Sequence, residues 1–519
     1  MFLRRVSELT MTEIVRDSSV RAGLAHSLGM TKVFWLLAVI MLVLFSITNL
    51  PWELDSYDQA KQAWTSYEMV TEGHWFYQRT SDDQGLATKP PLTGWMSAAI
   101  FAVTRSWDLA WRLPSMVCAG LIALLLLRNT SRAYGNVAGA VAFAAFGFNL
   151  LSSRLATLVR SDMPLALVIF LTGLLIWEKI RNQQPWSNRD RWIMFGLLSS
   201  GMLIKGPIIY AFLLPGILVY QLRFRKTASA WFGWWPWLVS LAIFSIWAIA
   251  GCLWVPRFYE LVVVREFLAR FGEVGTHVHR SQSFFFYLPH LFHKFFPWSA
   301  LMIGLAIAYY AEARRRRVDL RARGWKIRDA FREMSPATVW LICWSIGGLV
   351  LMSVIPSKRV DRIFPVIPPL CLLVAVQTAQ FLRNEEQRVK KSRWIAATLA
   401  LAVLFTIGYS ASRIIGGYRD HRDALSIFGR QVREQAIANH WRYEAVGSTD
   451  EGLPLYLTRP HFLKPEVAIA KWNGGEIDAL AVPTNQTLDF VRALHGAKRR
   501  FESAPRKNLR RPNYVLLTH

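Results

Sequence analysis

Cysteine and acidic residues are scarce in this 519-residue chain. The 4 cysteines all lie within apolar runs, which indicates buried thiols and argues against disulfides or a cysteine metal site. No group with metal-ligand spacing is visible beyond a weak pair, His277 and His279. No cofactor motif is evident either, and the need for a divalent metal stays open.

The shortage of acids leaves 61 Lys and Arg against 35 Asp and Glu, a net charge of +26. In a soluble protein this balance would suggest nucleic-acid binding. In a membrane protein it is the expected excess of Lys and Arg in cytoplasmic loops. Because the apolar runs described next favour the membrane explanation, we expect no nucleic-acid partner.

Long uncharged runs are abundant, and 53% of the chain is hydrophobic. Residues 33–50 carry no charge over about the length of a bilayer crossing. Similar runs occupy 113–127, 134–151, 163–177, 192–204, 206–222, 230–255, 297–311, 337–356, 363–382 and 394–412. The sequence therefore predicts a mainly α, polytopic membrane protein with about 11–13 transmembrane helices.

Lys and Arg cluster in alternate loops, which predicts the orientation of the chain. These loops include Arg128, Arg132, Lys179, Arg181, Arg223, Arg225, Arg314 to Arg317 and Arg388. The pattern predicts a cytoplasmic segment at 1–32 and a transmembrane domain at 33–414, with an outer first loop at 51–96. An odd number of crossings places 415–519 outside, where short apolar runs alternate with helix-like stretches and predict a small α/β domain.

The first outer loop contains two candidate functional residues. Residues 58–72 have an apolar stripe that predicts a helix on the membrane surface, with Asp58 at its N-terminal end. Asp58 is either a helix cap or a functional carboxylate. Lys89 precedes Pro90 and Pro91, which restrict the backbone, and it is either a phosphate ligand or an interfacial anchor.

Basic residues also recur at the outer ends of the runs, against the general bias. They are Arg160, Lys205, Arg265, Arg270, His279, Arg280, Lys358, Arg359 and Arg362. One such residue could anchor a lipid headgroup. A set drawn from several loops, together with Asp58 and Asp162, indicates an anionic ligand bound at the outer surface.

Short motifs occur in a characteristic order along the membrane region. They include Asp58-Gln-Ala-Lys, Gly73-His-Trp, Lys89-Pro-Pro-Leu, Arg112-Leu-Pro-Ser, Arg160-Ser-Asp-Met-Pro, Leu203-Ile-Lys-Gly, Arg270-Phe, His279-Arg and Ser357-Lys. Each motif is weak alone. In this order the set resembles the bacterial aminoarabinose transferases and the wider GT-C superfamily of polyprenyl-phosphate-dependent glycosyltransferases, which includes protein mannosyltransferases.

The resemblance implies a GT-C-type hexosyl or pentosyl transferase in the bacterial inner membrane, with its C-terminal domain in the periplasm. Its donor would be a polyprenyl-phosphate sugar, and its acceptor a lipid, such as lipid A or lipopolysaccharide, or a glycan. Transfer would take place at the periplasmic face with inversion at the anomeric carbon. Membrane lipids would surround it.

The resemblance also implies which residues form the site. Asp58 and Asp162 would be catalytic, and Lys89 would bind the carrier phosphate. Further substrate-binding positions would be Lys205, Arg270, His279, Lys358 and Arg362. Three departures leave the sugar and acceptor open: Gln59, Thr88 and Arg362 stand where the family often has Glu, Glu and Tyr.

Two other classes of function explain part of the pattern. A lipid or sugar transporter or flippase would favour ionisable residues or broken helices near the bilayer midplane, whereas here the charges lie at the ends of the runs. A non-catalytic surface-binding protein would explain the basic C-terminal region. It would not explain Asp58 and Lys89 occurring together.

Overall fold

The computed structural model describes residues 32, 34–49, 54, 57–79, 86–224, 233–270, 281–316, 334–382, 388–447, 452–506 and 513–519. Most of these residues are helical. The membrane region contains α1 (Phe34–Asn49), α2 (Tyr57–Thr71), α3 (Leu92–Thr104), α4 (Trp107–Tyr134), α5 (Asn136–Gly147), α6 (Leu150–Leu155), α7 (Asp162–Asn182), α8 (Asn188–Lys205), α9 (Ile208–Arg223), α10 (Trp234–Trp254), α11 (Tyr287–Lys294), α12 (Trp298–Arg316), α13 (Pro336–Val354), α14 (Ile367–Leu382) and α15 (Arg388–Arg419). A π-helix follows α10 at Tyr259–Phe267, and 3-10 turns occupy Leu268–Arg270, Phe284–Phe286 and Val360–Val366.

Helix length and composition confirm a polytopic membrane protein. Within the described ranges, 6 segments are long and apolar enough to cross a bilayer: Trp107–Tyr134, Asp162–Asn182, Trp234–Trp254, Pro336–Val354, Val360–Leu382 and Lys391–Arg419. Phe284–Lys294 and Trp298–Ala308 qualify together but bend by 98° at their junction. Shorter apolar helices are α1, α3, α5 and α9. The run at 192–204 forms part of α8, which carries charged residues in its first turn.

Small residues let the central helices pack closely. A side chain at Gly347 in α13 would place its Cβ 2.6 Å from the backbone nitrogen of Gly216 in α9. A side chain at Gly173 in α7 would meet the Trp344 ring at 2.2 Å. Lipid supplies no hydrophobic drive for helix association, so close backbone approach of this kind stabilises the bundle.

The predicted single crossing at 134–151 is broken in the structure. α5 ends at Gly147, and Asn149 caps the start of α6, because its side-chain oxygen accepts from the backbone nitrogen of Ser152 at 2.9 Å. Its side-chain nitrogen donates to the Ala145 carbonyl at 2.8 Å. Apolar content alone therefore missed a capping residue that starts a new helix. The break allows Arg154 and Arg160 to lie before the next span.

The C-terminal region contains helices α16 (Ala424–Asn439), α17 (Gly452–Leu457), α18 (Pro465–Asn473) and α19 (Thr487–Ala493) around strands β1 (Tyr443–Ala445), β2 (Ala479–Pro483), β3 (Lys498–Glu502) and β4 (Tyr514–Thr518). The sheet order is β1-β2-β4-β3; β1 and β2 are parallel, and β4 is antiparallel to β2 and β3. These elements confirm the predicted α/β region. Strand β3 was not predicted, because its Lys498, Arg499 and Arg500 suggest a solvated basic segment, yet charged side chains are typical of an edge strand.

The C-terminal region packs directly on α2. The backbone nitrogen of Leu54 donates to the Tyr456 hydroxyl at 2.6 Å. Leu455 is buried in one cluster with Trp64 and Tyr67 of α2. The C-terminal region and α2, whose first turn contains Asp58, therefore lie on the same side of the membrane bundle.

Candidate functional site

Asp58 lies in the first turn of α2 and faces two arginines from distant parts of the chain. Its Oδ2 atom is 3.0 Å from Nη2 of Arg160, which precedes α7. It also pairs with Arg359, which precedes the 3-10 turn Val360–Val366. Burial acts to raise the pKa of Asp58, but the hydrogen bond and charge of Arg359 and the charges of Arg160 and Lys89 lower it to about 2. Asp58 is therefore ionised throughout the physiological range.

The ion pairs continue beyond Arg160 to a second carboxylate. Nη1 of Arg160 donates to Oδ2 of buried Asp361 at 2.7 Å. Nη1 of Arg154 lies 3.2 Å from the other oxygen of Asp361. Arg359, Asp58, Arg160, Asp361 and Arg154 thus form a row of alternating charges, and each carboxylate holds two arginines in place.

Buried Asp162 and half-buried Lys205 form a separate ion pair, with 2.5 Å between Oδ1 and Nζ. Asp162 begins α7, and Lys205 ends α8. Gly206 follows with a φ of 73°, a conformation that favours glycine, and Pro207 leads into α9. The predicted tight turn at Lys205 is confirmed, and it presents the ammonium to the start of α7.

Lys89 is a half-buried cation beside this ion pair. Burial and the neighbouring Lys205 charge lower the pKa of its ammonium to about 8, although the charges of Asp162, Asp58 and Glu266 oppose that shift. Among the described residues, no carboxylate lies within ion-pair distance of Lys89 and none accepts a hydrogen bond from it. A partly desolvated ammonium in this state is suited to bind an anion.

The other residues predicted to bind substrate have different surroundings. Lys358 donates to the Gln282 carbonyl at 2.9 Å, and Arg362 donates to the Ser357 carbonyl at 2.6 Å. Both contacts support the segment where Ser281 pairs with Ser357. The Arg270 side chain and His279 lie outside the described residues. The substrate-binding roles of these four residues stay predictions.

Sequence reasoning missed four members of the charge row as site residues. Arg160 and Arg359 were noted among the outer-face cations but not assigned to the site, and Asp361 and Arg154 were not singled out. The sequence contained one usable signal, since Asp361 is the acid within the basic stretch Lys358-Arg359-Val-Asp361-Arg362. Arg154 gave no signal, because its contact with Asp361 depends on how α6 packs.

Within the described ranges, no group of three or more His, Cys, Asp or Glu residues could hold a metal ion. Lys89 and Lys205 offer two neighbouring ammonium groups to an anion, and Asp58 offers a fixed negative charge nearby. This arrangement can stabilise a departing phosphate and a developing positive charge at the same time.

Comparison with known sequences finds similarity to two groups of glycosyl transferases. Residues 88–250 match the family described as dolichyl-phosphate-mannose-protein mannosyltransferase. The undecaprenyl phosphate-alpha-4-amino-4-deoxy-L-arabinose arabinosyl transferase of Aeromonas salmonicida (strain A449) is 25% identical over 408 residues, which cover 75% of this chain and 68% of the relative. The enzyme of the same name from Pseudomonas aeruginosa (strain LESB58) is 25% identical over 366 residues, 68% of this chain and 61% of the relative.

Comparison with solved structures shows the same fold. The crystal structure of ArnT from Cupriavidus metallidurans bound to undecaprenyl phosphate superposes with a TM-score of 0.66 at 18% identity, over 94% of this chain and 98% of that one. The apo structure of the same protein gives a TM-score of 0.65 at 19% identity, with the same coverage. The similarity thus extends from the helical bundle into the C-terminal sheet.

Proposed function

We propose that this chain, which is similar in sequence and fold to aminoarabinose transferases, is a membrane glycosyltransferase that transfers a sugar from a polyprenyl-phosphate carrier to a lipid A-like acceptor. The observation that carries this proposal is Lys89. It is a half-buried ammonium without an ion-pair partner among the described residues, and it lies beside Lys205, Asp162 and Asp58. An anionic ligand would supply the missing partner.

The carrier phosphate is the ligand we assign to Lys89. When the bond between the sugar and the phosphate breaks, the phosphate gains negative charge. Lys89 and Lys205 are fixed near each other before the reaction, so they stabilise that added charge without reorganising. Asp162 keeps Lys205 in position through their ion pair. We therefore treat Asp162 as a positioning residue, although the sequence resemblance suggested a catalytic role.

In this proposal Asp58 acts through its negative charge and does not act as a general base. A carboxylate with a pKa of about 2 is a weak base, and it has little tendency to remove a proton from a hydroxyl group. An acceptor phosphate is already ionised and needs no general base. Asp58 would instead stabilise the positive charge that develops on the sugar, while Arg160 and Arg359 hold the carboxylate still.

The proposed site lies at the outer face of the inner membrane. This assignment rests on the alternating basic loops, which favour a cytoplasmic N-terminus and a periplasmic C-terminal domain. Arg270, His279, Lys358 and Arg362 would face the substrates from outer loops. The proposed donor and acceptor would both reach the site from the outer leaflet.

A reconstituted transfer reaction tests the proposal. Purified protein is incubated with undecaprenyl phosphate-4-amino-4-deoxy-L-arabinose and lipid A, and the lipid product is examined by mass spectrometry. We expect lipid A that has gained the sugar and release of undecaprenyl phosphate. Glycolipids from a deletion strain would identify the physiological sugar. Movement of the donor between leaflets without transfer would contradict the proposal and support a flippase.

A further inference from the structure

A second group of cations lies on the opposite side of Arg160 from Asp58. It consists of Arg154 at α6, Lys294 at the end of α11, Arg413 in α15 and Arg422 just after α15, and we call these four residues the second basic cluster. All four are half-buried. Three separate parts of the chain thus contribute half-buried cations, and a negatively charged ligand would stabilise them.

The end of α1 brings two parts of the cluster together. Thr48 and Ser410 share a hydrogen bond of 2.8 Å between their hydroxyl oxygens, which fixes α15 against α1. The next residue, Asn49, donates to the Arg154 carbonyl at 2.8 Å, which fixes α6 against α1. Arg413 follows Ser410 by about one helical turn and therefore projects from the same face of α15.

Electrostatic contacts connect the remaining members. The charges of Arg154 and Asp361 act on the Lys294 ammonium. The charges of Arg413, Arg154, Arg422 and Asp361 all reach the Tyr409 hydroxyl. The Asp361 carboxylate acts on both Lys294 and Tyr409. It also pairs with Arg160. The buried Nε of Arg413 has no hydrogen-bond partner in the described part of the chain.

We propose that the second basic cluster binds the phosphate of the acceptor lipid while Lys89 and Lys205 bind the phosphate of the carrier. This inference rests on the proposed function and gives each substrate its own anion site. Arg160 links the two sites, because it pairs with Asp58 and with Asp361. The planar guanidinium groups of its three arginines suit bidentate contacts to a terminal phosphate, which carries about two negative charges near neutral pH.

The arrangement fits a direct displacement. An oxygen of the acceptor phosphate forms a bond to the anomeric carbon, and the bond from that carbon to the carrier phosphate oxygen breaks. The carrier leaves with the electron pair as polyprenyl phosphate, and the acceptor becomes a phosphodiester of the sugar. No proton is removed from the attacking oxygen, because the acceptor phosphate is already ionised near neutral pH.

Arg413 offers the sharpest test, with Arg419 as the matched control. Arg419 belongs to the same helix, is exposed and pairs with its neighbour Asp420 at 3.1 Å. We expect Arg413→Gln to raise the KM for lipid A about tenfold or more and to leave the KM for the donor unchanged. Arg413→Lys should recover part of the affinity, and Arg419→Gln should behave like wild type. An equal rise in both KM values, an unchanged acceptor KM, or the same effect from Arg419→Gln would overturn the assignment.

A binding measurement separates this inference from the proposed function. Intrinsic tryptophan fluorescence of the full-length protein in detergent is titrated with lipid A, with dephosphorylated lipid A and with phosphatidylglycerol. Preference for the phosphorylated acceptor that Arg413→Gln abolishes would support the site without any turnover. Equal binding of phosphatidylglycerol would identify a general anchor for anionic lipids and overturn the inference. Phosphate-dependent binding without transfer would retain the anion site and contradict the proposed function.

Discussion

The two charged residues nearest the proposed chemistry have opposite electrostatic surroundings. Asp58 is held by two arginines, which keep its pKa at about 2, whereas burial and Lys205 reduce the pKa of Lys89 to about 8. The negative charge of Asp58 therefore already has two positively charged partners before any ligand binds. Lys89 gains from a negatively charged partner, and ligand binding should raise its pKa again.

Replacement of Lys89 should affect the step in which the phosphate leaves. A charged hydrogen bond to phosphate is worth about 1.5–3 kcal/mol, so Lys89→Ala should lower turnover by about one to two orders of magnitude. Lys89→Arg should retain part of the activity, because the charge remains while its geometry changes. Both variants are assayed as purified enzymes with a polyprenyl-phosphate sugar. Wild-type turnover in Lys89→Ala would make Lys89 an interfacial anchor.

The pH profile of Lys89 variants gives a second, independent prediction. Lys89 loses its proton as the pH rises through about 8, and a neutral amine binds phosphate poorly, so wild-type kcat/KM should decline above that pH. Arginine stays protonated, so Lys89→Arg should lose this alkaline decline. The measurement is kcat/KM for the donor from pH 6 to about 10. The same decline in Lys89→Arg would assign the titration to another group.

Asp58→Asn should remove a charge that two arginines require. Truncation of one partner in a partly buried charged pair costs about 2–5 kcal/mol of interaction free energy. If the transition state loses that much stabilisation, turnover should fall about 30-fold or more. Asp108→Asn, which changes an exposed carboxylate in the first turn of α4, is the matched control. Both variants should insert and purify like wild type. Near-normal turnover in Asp58→Asn would leave Asp58 with a capping or packing role.

At the scale of whole elements, close helix packing determines where the site segments lie. α13 passes α9 at Gly347 and Gly216 and leads directly into the segment that contains Lys358 and Arg359. α7 and α8 meet at Asp162 and Lys205. The site is therefore assembled from helix ends, and its geometry depends on contacts well below it in the bundle.

The glycine contact between α9 and α13 can be tested directly. A methyl group at Gly347 would meet the Gly216 backbone at 2.6 Å, so Gly347→Ala should separate the helices and cost about 1–3 kcal/mol. Gly120→Ala in α4 is the control, because its added Cβ would meet nothing within 4 Å. Thermal unfolding in detergent should show a lower midpoint for Gly347→Ala alone. Equal unfolding midpoints would show that α13 accommodates the added methyl group without loss of stability.

Sequence patterns predicted elements better than they predicted contacts. The helix expected at 58–72 forms at Tyr57–Thr71, and the turn expected at Lys205 is present, because local apolar spacing and Gly206-Pro207 determine both. The pairing of Asp58 with Arg359 joins residues 301 positions apart. Only the packing of the helices brings them together. The contact of Lys358 was likewise not predictable from its sequence position: its ammonium donates to the Gln282 carbonyl, and its substrate-binding role stays a prediction.

At the scale of the whole molecule, the C-terminal region and the site share one face. Tyr456 and Leu455 pack on α2, which begins next to Asp58. Asp58 in turn pairs with arginines that precede α7 and the turn Val360–Val366. These contacts require the C-terminal region to be on the membrane side where the site opens. A measurement of its location is therefore also a measurement of the side on which transfer takes place.

Reporter fusions at the two ends of the chain test this orientation. The alternating Lys and Arg loops predict that residue 1 is cytoplasmic and that residue 519 is periplasmic. Alkaline phosphatase fused after residue 519 should be active, since it folds outside the cytoplasm, and green fluorescent protein fused before residue 1 should fluoresce. Active phosphatase at both ends would indicate an even number of crossings but would keep the site outside. A C-terminal reporter in the cytoplasm would contradict the proposed function. Because the C-terminal region packs on α2, this result would place Asp58 and Lys89 inside the cell, where the proposed outer-leaflet acceptor could not reach them.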